Sequence, residues 1–264
     1  MKIIVCTDLE GVSGVVSFDE QAGSNGKYYE QAKRLLTGEI NAAVEGMVAE
    51  SVEEILIFDG HGCGAVALED LHPAARLAHG RPWPWNYFRE KIIPGYDATI
   101  LIGQHAMAGT EPGTLNHTQD SRSVEYYKLN GVPIGETAQW ALCCGAYNIP
   151  TIFLCGDDHA CREAETQIPG LTTATVKISL GRQSAISFPP PEAHRRIRDG
   201  IVQALRNHRK TPMAPLKWKG PFVLEKRFFH TGSVDGYARH PLAKIIDPLT
   251  VQLRSDNILD IIYA

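Results

Sequence analysis

Nothing in the 264-residue chain approaches the roughly 20 consecutive apolar residues that a membrane-spanning helix needs. The opening apolar run, Met1 to Asp8, is short and ends on an acid. A cleavable leader is therefore not expected, and a cytoplasmic location is. Basic excess is missing too: Lys plus Arg number 26 against 30 for Asp plus Glu, a net charge of −4. That balance excludes the footprint of a nucleic-acid or membrane-surface partner. The 6 cysteines contain no C-x-x-C pair, which excludes a zinc knuckle or a thioredoxin motif. They read as reduced thiols: Cys143 and Cys144 are adjacent, and Cys6 and Cys155 fall inside apolar runs. Cys63, in a glycine-rich loop, is the one placed for a functional role. Repeats and low-complexity tracts are absent.

What the chain does have is a series of short apolar runs: Lys2–Thr7, Glu54–Phe58, Ala98–Gly103, Thr151–Cys155 and Thr173–Ile178. Near-continuous runs without alternation suit parallel strands buried on both faces. Between the first two, Leu36, Ile40, Ala43, Val44, Met47 and Val48 form the stripe of an amphipathic helix. Further helices are expected at Glu136–Tyr147 and Ala160–Gln167, and a β-hairpin at Val124–Ile134 around Asn130-Gly131. The expected fold class is α/β, a doubly wound, mostly parallel sheet, with a smaller C-terminal α+β domain. Pro189, Pro190 and Pro191 mark the boundary. It separates residues 1–188, the catalytic part, from 189–264. The latter opens with a basic helix, Glu192–His208, and reads as a domain or a lid, with apolar runs at Phe222–Lys226 and Leu249–Leu253.

Chemistry collects just after the strands. The first leads into Asp8-Leu9-Glu10-Gly11, the second into Asp59-Gly60-His61-Gly62, the third into Gln104-His105, the fourth into Gly156-Asp157-Asp158. Open parallel sheets bind ligands at the carboxyl ends of their strands. Carboxylates and imidazoles gathered there without a partner are costly, and a divalent metal, zinc before manganese or iron, is what would hold them. Asp8 and Glu10 reach one site only if the chain bends out of the pleat, which Gly11 and Gly14 permit. With Glu136 the set is three carboxylates and two histidines, Asp8, Glu10, His61, His105 and Glu136. That suits a pair of ions about 3.5–4 Å apart better than one four-coordinate ion.

Blander readings stand beside this. Asp8 and Glu10 also suit loop acids, Glu136 a dipole-friendly first-turn residue, and His61 and His105 satisfied polar groups under a loop. Asp158 is expected to cap the helix that follows. The other histidines, at 72, 79, 159, 194, 208, 230 and 240, carry no pattern. Trp83, Trp85, Tyr87 and Phe88 are expected to pack over the sheet, or else to anchor an interface. Gly60-His61-Gly62-Cys63-Gly64-Ala65 fits a nominal dinucleotide fingerprint, but no acid follows about 20 residues on. Asp8-x-Glu10-Gly11 also opens some metal-dependent phosphoryl-transfer enzymes, although it lacks a second Asp. A non-catalytic ligand-binding or scaffold protein of the same fold is the other alternative.

The quoted residues resemble the D-aminopeptidases associated with bacterial dipeptide transport, a family of binuclear zinc peptidases. The match opens at Thr7-Asp8-Leu9-Glu10-Gly11-Val12-Ser13-Gly14. It continues through Asp59-Gly60-His61, Gly103-Gln104-His105-Ala106, Asn116-His117-Thr118, Pro133-Ile134-Gly135-Glu136 and Cys155-Gly156-Asp157-Asp158. Ile168-Pro169-Gly170-Leu171-Thr172-Thr173 closes it. The resemblance implies that Asp8, Glu10, His61, His105 and Glu136 hold two zinc ions per chain, that Asp8 bridges them, and that His117 is catalytic. It also implies a stacked-ring homo-oligomer, a decamer. The expected activity is hydrolysis of short peptides or amino-acid amides with D-residues at the amino end. Asp59 and Asp157 are candidates, by position, for holding the substrate ammonium.

Overall fold

A computed structural model describes residues 1–264. The apolar runs become β1 (Lys2–Thr7), β2 (Glu54–Asp59), β4 (Ala98–Gln104), β7 (Thr151–Asp157) and β8 (Thr172–Gly181). With β3 (Ala75–Ala78) and β9 (Ser184–Ser187) at the edges they form a seven-stranded sheet, ordered β3-β2-β1-β4-β7-β8-β9. Every pairing is parallel except β8 with β9. The strand order reverses direction between β1 and β4, the topological switch point where such sheets open a crevice.

Both faces of its central strands β1, β2, β4 and β7 are covered, which is why these strands are mostly apolar. Ile3 and Val5 of β1 join a core with α1 (Tyr29–Ala49) and α5 (Pro190–Lys210). Ile4 and Cys6 point the other way, into a core with α3 (Glu136–Ala146) and α4 (Asp158–Gln167). The expected stripe is what α1 buries: Leu36, Ile40, Ala43, Val44 and Met47 are buried, and only Val48 turns outward. Each fully buried Leu or Ile there contributes about 1.5–3 kcal/mol. A single turn, α2 (Trp85–Tyr87), lies before β4, and α6 (Thr231–Asp235) lies near the C-terminus.

The hairpin expected at Val124–Ile134 is present as β5 (Val124–Leu129) and β6 (Val132–Pro133), turning at Asn130 and Gly131, both with positive φ. It does not ride alone on the core. It pairs with β10 (Phe222–Phe228), and β12 (Thr250–Ser255) and β11 (Ala243–Asp247) complete an antiparallel sheet, β11-β12-β10-β5-β6. The large sheet lies wholly before the prolines at 189–191, whereas the small one takes β5 and β6 from before them and β10, β11 and β12 from after. The helix after the prolines packs on the large sheet, and the small sheet draws strands from both sides of the break. Ile261 and Ile262, at the chain's end, sit in the same core as Ile4 and Leu154.

Candidate metal centre

Four chain segments converge at the switch point: the bend after β1, the turn after β2, the end of β4, and the start of α3. The bend exists because backbone comes very close to backbone. Asp8 N–H donates to Ile102 O and Gly11 N–H to Gly103 O, both at 2.8 Å. A Cβ on Gly11 would lie 1.9 Å from Gln104 O, and one on Gly103, whose φ is +75°, would lie 2.1 Å from Asp8 O. Glycine at both positions lets the chain leave the pleat, so that Asp8 and Glu10 face the same point.

Asp8 is the centre of the cluster. Its Oδ1 lies 3.2 Å from His61 Nδ1, and its Oδ2 lies 3.1 Å from His105 Nε2. Glu10 Oε2 lies 3.1 Å from His61 Nδ1, and Glu136 Oε1 lies 3.6 Å from His105 Nε2. The side chains of Asp8, Glu10, His61, His105 and Glu136 thus come together. His117 joins them: its Nε2 lies 3.8 Å from Glu136 Oε1, and its ring stacks on His105 with centroids 4.0 Å apart. Ligand atoms fall within 4.8 Å of one another in two groups, Asp8 with Glu10 and His105, and His105 with His117 and Glu136.

Each imidazole has its outer nitrogen against a backbone carbonyl: His61 Nε2 against Ala22 O at 2.8 Å, His105 Nδ1 against Ala106 O at 2.9 Å, His117 Nδ1 against Leu115 O at 2.9 Å. A neutral ring that donates there leaves a lone pair on the inner nitrogen, aimed at carboxylates. That is the arrangement by which outer partners orient metal-binding histidines. Glu10 Oε2 and His105 Nε2 are buried and make no aligned hydrogen bond, although both sit close to opposite charge. The donor set, nitrogen and carboxylate oxygen, suits zinc.

Without metal, protons do the same work. Burial alone would depress both imidazoles, yet the Glu10 charge and Asp8 hold His61 well above its ordinary range, and Asp8 and Glu136 do so for His105. Burial would likewise raise Asp8, but His105 and His61 keep it well below the usual carboxylate range. The raised imidazole pKa values stabilise the metal-free fold below the ordinary histidine range, and that stability is lost as pH rises through the raised values. The lowered Asp8 value contributes above the ordinary Asp range and is lost as pH falls. Metal competes with these protons, so its affinity falls in acid.

His117 lies in a loop, Gly113–Asp120, that is held in place. Thr114, Leu115 and Thr118 are fully buried. Thr114 N–H donates to Ser179 Oγ at 3.0 Å and Leu115 N–H to Arg182 O at 2.7 Å. Leu115 and Gln119 both adopt positive φ, 53° and 65°, strained for non-glycine residues and characteristic of functional loops.

Other expectations resolve differently. Asp59 accepts Ala65 N–H at 2.9 Å and ties down the loop after His61, and Asp157 accepts His159 N–H at 2.8 Å and Ala160 N–H at 3.0 Å. Neither lines the cavity, so neither is positioned to hold a substrate ammonium. Asp157, not Asp158, caps α4; Asp158 is drawn away by Arg162 and Ser179 N–H, each at 2.8 Å. All six cysteines are free, and only Cys63 is exposed. Trp83, Trp85 and Phe88 pack against Phe58, as expected for packing over the sheet, and Tyr87 alone of the four is left exposed without such a contact.

Lys177 was missed by the sequence reading. On β8 it is fully buried, and its Nζ donates to Glu10 O at 2.5 Å and Val15 O at 2.6 Å. Glu39 of α1 accepts Ser13 N–H at 2.9 Å in the same loop. Burial pushes the Lys177 amine down to about 8 and the Glu39 carboxyl up to about 8. Together they clamp the loop that presents Glu10. The one available signal was a lysine in an otherwise apolar run.

The cluster opens into a cavity of about 680 Å³ lined by Asp8, Glu10, His61, His117 and Glu136 among others. The sequence pattern of the D-aminopeptidase family matches residues 1–264. The D-aminopeptidase of Bacillus subtilis (strain 168) is 30% identical over 270 residues, covering 100% of this chain and 95% of that one. Among solved structures, the chain is similar to a zinc-dependent D-aminopeptidase from Bacillus subtilis described as a self-compartmentalizing protease. The TM-score is 0.90 at 29% identity, covering 98% of this chain and 93% of that one.

Proposed function

This chain belongs to the D-aminopeptidase family, and we propose that it uses two zinc ions to release the amino-terminal residue from short peptides or amino-acid amides. The observation that carries this reading is Asp8, whose two oxygens face two different histidines. Asp8, Glu10, His61, His105 and Glu136 would hold the ions, with Asp8 placed to serve both. Bound zinc there supplies Lewis acidity toward the scissile carbonyl and lowers the pKa of a water. The chain's own residues do the rest. The backbone carbonyls of Ala22 and Ala106 hold the His61 and His105 imidazoles in orientation. His117, its Nδ1 anchored on Leu115 O, presents Nε2 to the cavity to carry a proton to the leaving amine.

The preference for D-residues at the amino end is supported by the family and by the Bacillus subtilis relatives. D-Alaninamide is expected to be hydrolysed faster than L-alaninamide, to lose turnover in chelator, and to regain it with added zinc. Full turnover in chelator would overturn the zinc reading, and an L preference would remove the D- assignment alone. A closed homo-oligomer of stacked rings, a decamer, is supported by the self-compartmentalizing relative. Light scattering is expected to give a multiple of the monomer mass, and a monomer at micromolar concentration would refute it. No helix is long and apolar enough to cross a membrane, and we place the enzyme in the cytoplasm on its free thiols.

A further inference from the structure

The cavity that the ligand cluster lines has an apolar wall as well, made by Phe58, Trp83, Trp85, Leu101, Trp140 and Tyr263. Phe58 organises this wall. Its ring stacks on Trp140 at 5.3 Å and 12°, and lies 4.8 Å from Trp83. Trp85 meets Tyr263 edge to face at 5.0 Å. The wall is tied to the polar half through Arg81, whose guanidinium covers Trp83 at 5.1 Å and donates to His61 O at 2.8 Å. Phe58, Leu101 and Trp140 are buried, so this end is the closed one. Gln119, Asp120 and Arg122, which also line the cavity, are exposed, so the cavity opens to solvent beside them.

A substrate with its scissile carbonyl at the ligand cluster can send the rest of its chain out past the exposed Gln119, Asp120 and Arg122. Its first side chain is then directed into the aromatic end. A methyl group would leave that apolar wall against water, whereas a phenyl or indole would cover it. We propose that this pocket selects substrates whose amino-terminal residue carries a large apolar, above all aromatic, side chain, and that Trp83 and Trp85 set that specificity. The proposal rests on the aminopeptidase reading above.

The test compares phenylalaninamide with alaninamide, each as the enantiomer turned over faster, in the wild type, Trp83→Ala and Trp85→Ala. Wild-type kcat/KM is expected to favour phenylalaninamide about 10–100-fold. The ratio is expected to collapse toward one in either variant while zinc content stays unchanged. In parallel, the zinc-loaded protein is titrated with free phenylalanine and free alanine of both hands, followed by tryptophan fluorescence. Phenylalanine is expected to bind at least about tenfold tighter. Equal or better use of alanine in both measurements overturns the pocket assignment, as does a phenylalanine preference that survives in both variants. Selective phenylalanine binding without hydrolysis of any amide would uphold the pocket and overturn the aminopeptidase reading instead.

Discussion

Asp8→Ala is expected to abolish the centre while sparing the fold. Its two oxygens each face a different imidazole, so their removal weakens both halves of the cluster at once. Zinc content should fall toward zero, and amide hydrolysis by at least about three orders of magnitude, since the lost ions supply both carbonyl polarisation and water activation. The fold should survive because the Asp8 side chain hydrogen-bonds no distant backbone group; its Oδ1 accepts only Leu9 N–H, at 2.9 Å, besides facing His61. The backbone bond from Asp8 N–H to Ile102 O is kept by alanine. Circular dichroism and elemental analysis on the same sample check this. Asp59→Asn is the control: an equally buried acid at the end of β2, outside the cavity lining, where the amide oxygen can still accept Ala65 N–H. It should retain its zinc. An Asp8→Ala protein that keeps two equivalents of zinc would remove Asp8 from the ligand set.

His117→Ala is expected to separate chemistry from metal binding. The imidazole stacks on His105 and faces Glu136, yet His117 also lines the cavity that would take the substrate. Histidine has the side chain best suited to exchange a proton near neutral pH. General acid–base catalysis is worth about 10²–10⁴ in rate. The substitution should lower kcat by that order, with KM nearly unchanged and zinc content at the wild-type level. Its proximity to His105 and Glu136, within ligand-forming distance, makes the zinc reading decisive. Loss of an ion with the rate would make His117 a ligand, and a near-normal kcat would make it a support for the loop.

Much of this site was legible because its residues follow buried strands. A doubly covered parallel strand must be apolar, so Asp8, His61 and His105 stand out where their strands stop. What escaped notice depends on pairing and packing remote in sequence. The hairpin at 124–133 finds its partner β10 almost a hundred residues later, as in Leu129 opposite Leu224, and no local signal announces that pairing. Lys177 looks like a solvent-side residue in a strand, yet it turns inward to hold the Glu10 loop. The strained φ of Leu115 and Gln119 beside His117 has no glycine to betray it. Asp157 and Asp158 are equivalent as caps by composition, and only the competing pull of Arg162 and Ser179 decides between them.

The central claim is that this cluster holds two zinc ions through Asp8, Glu10, His61, His105 and Glu136. Elemental analysis of protein purified without chelator, taken together with its amidase rate, tests it most directly. About two equivalents of zinc per chain are expected, falling to about one in His61→Ala and in His105→Ala, with activity lost in step. Full amidase activity at well under one equivalent of any transition metal would contradict the account.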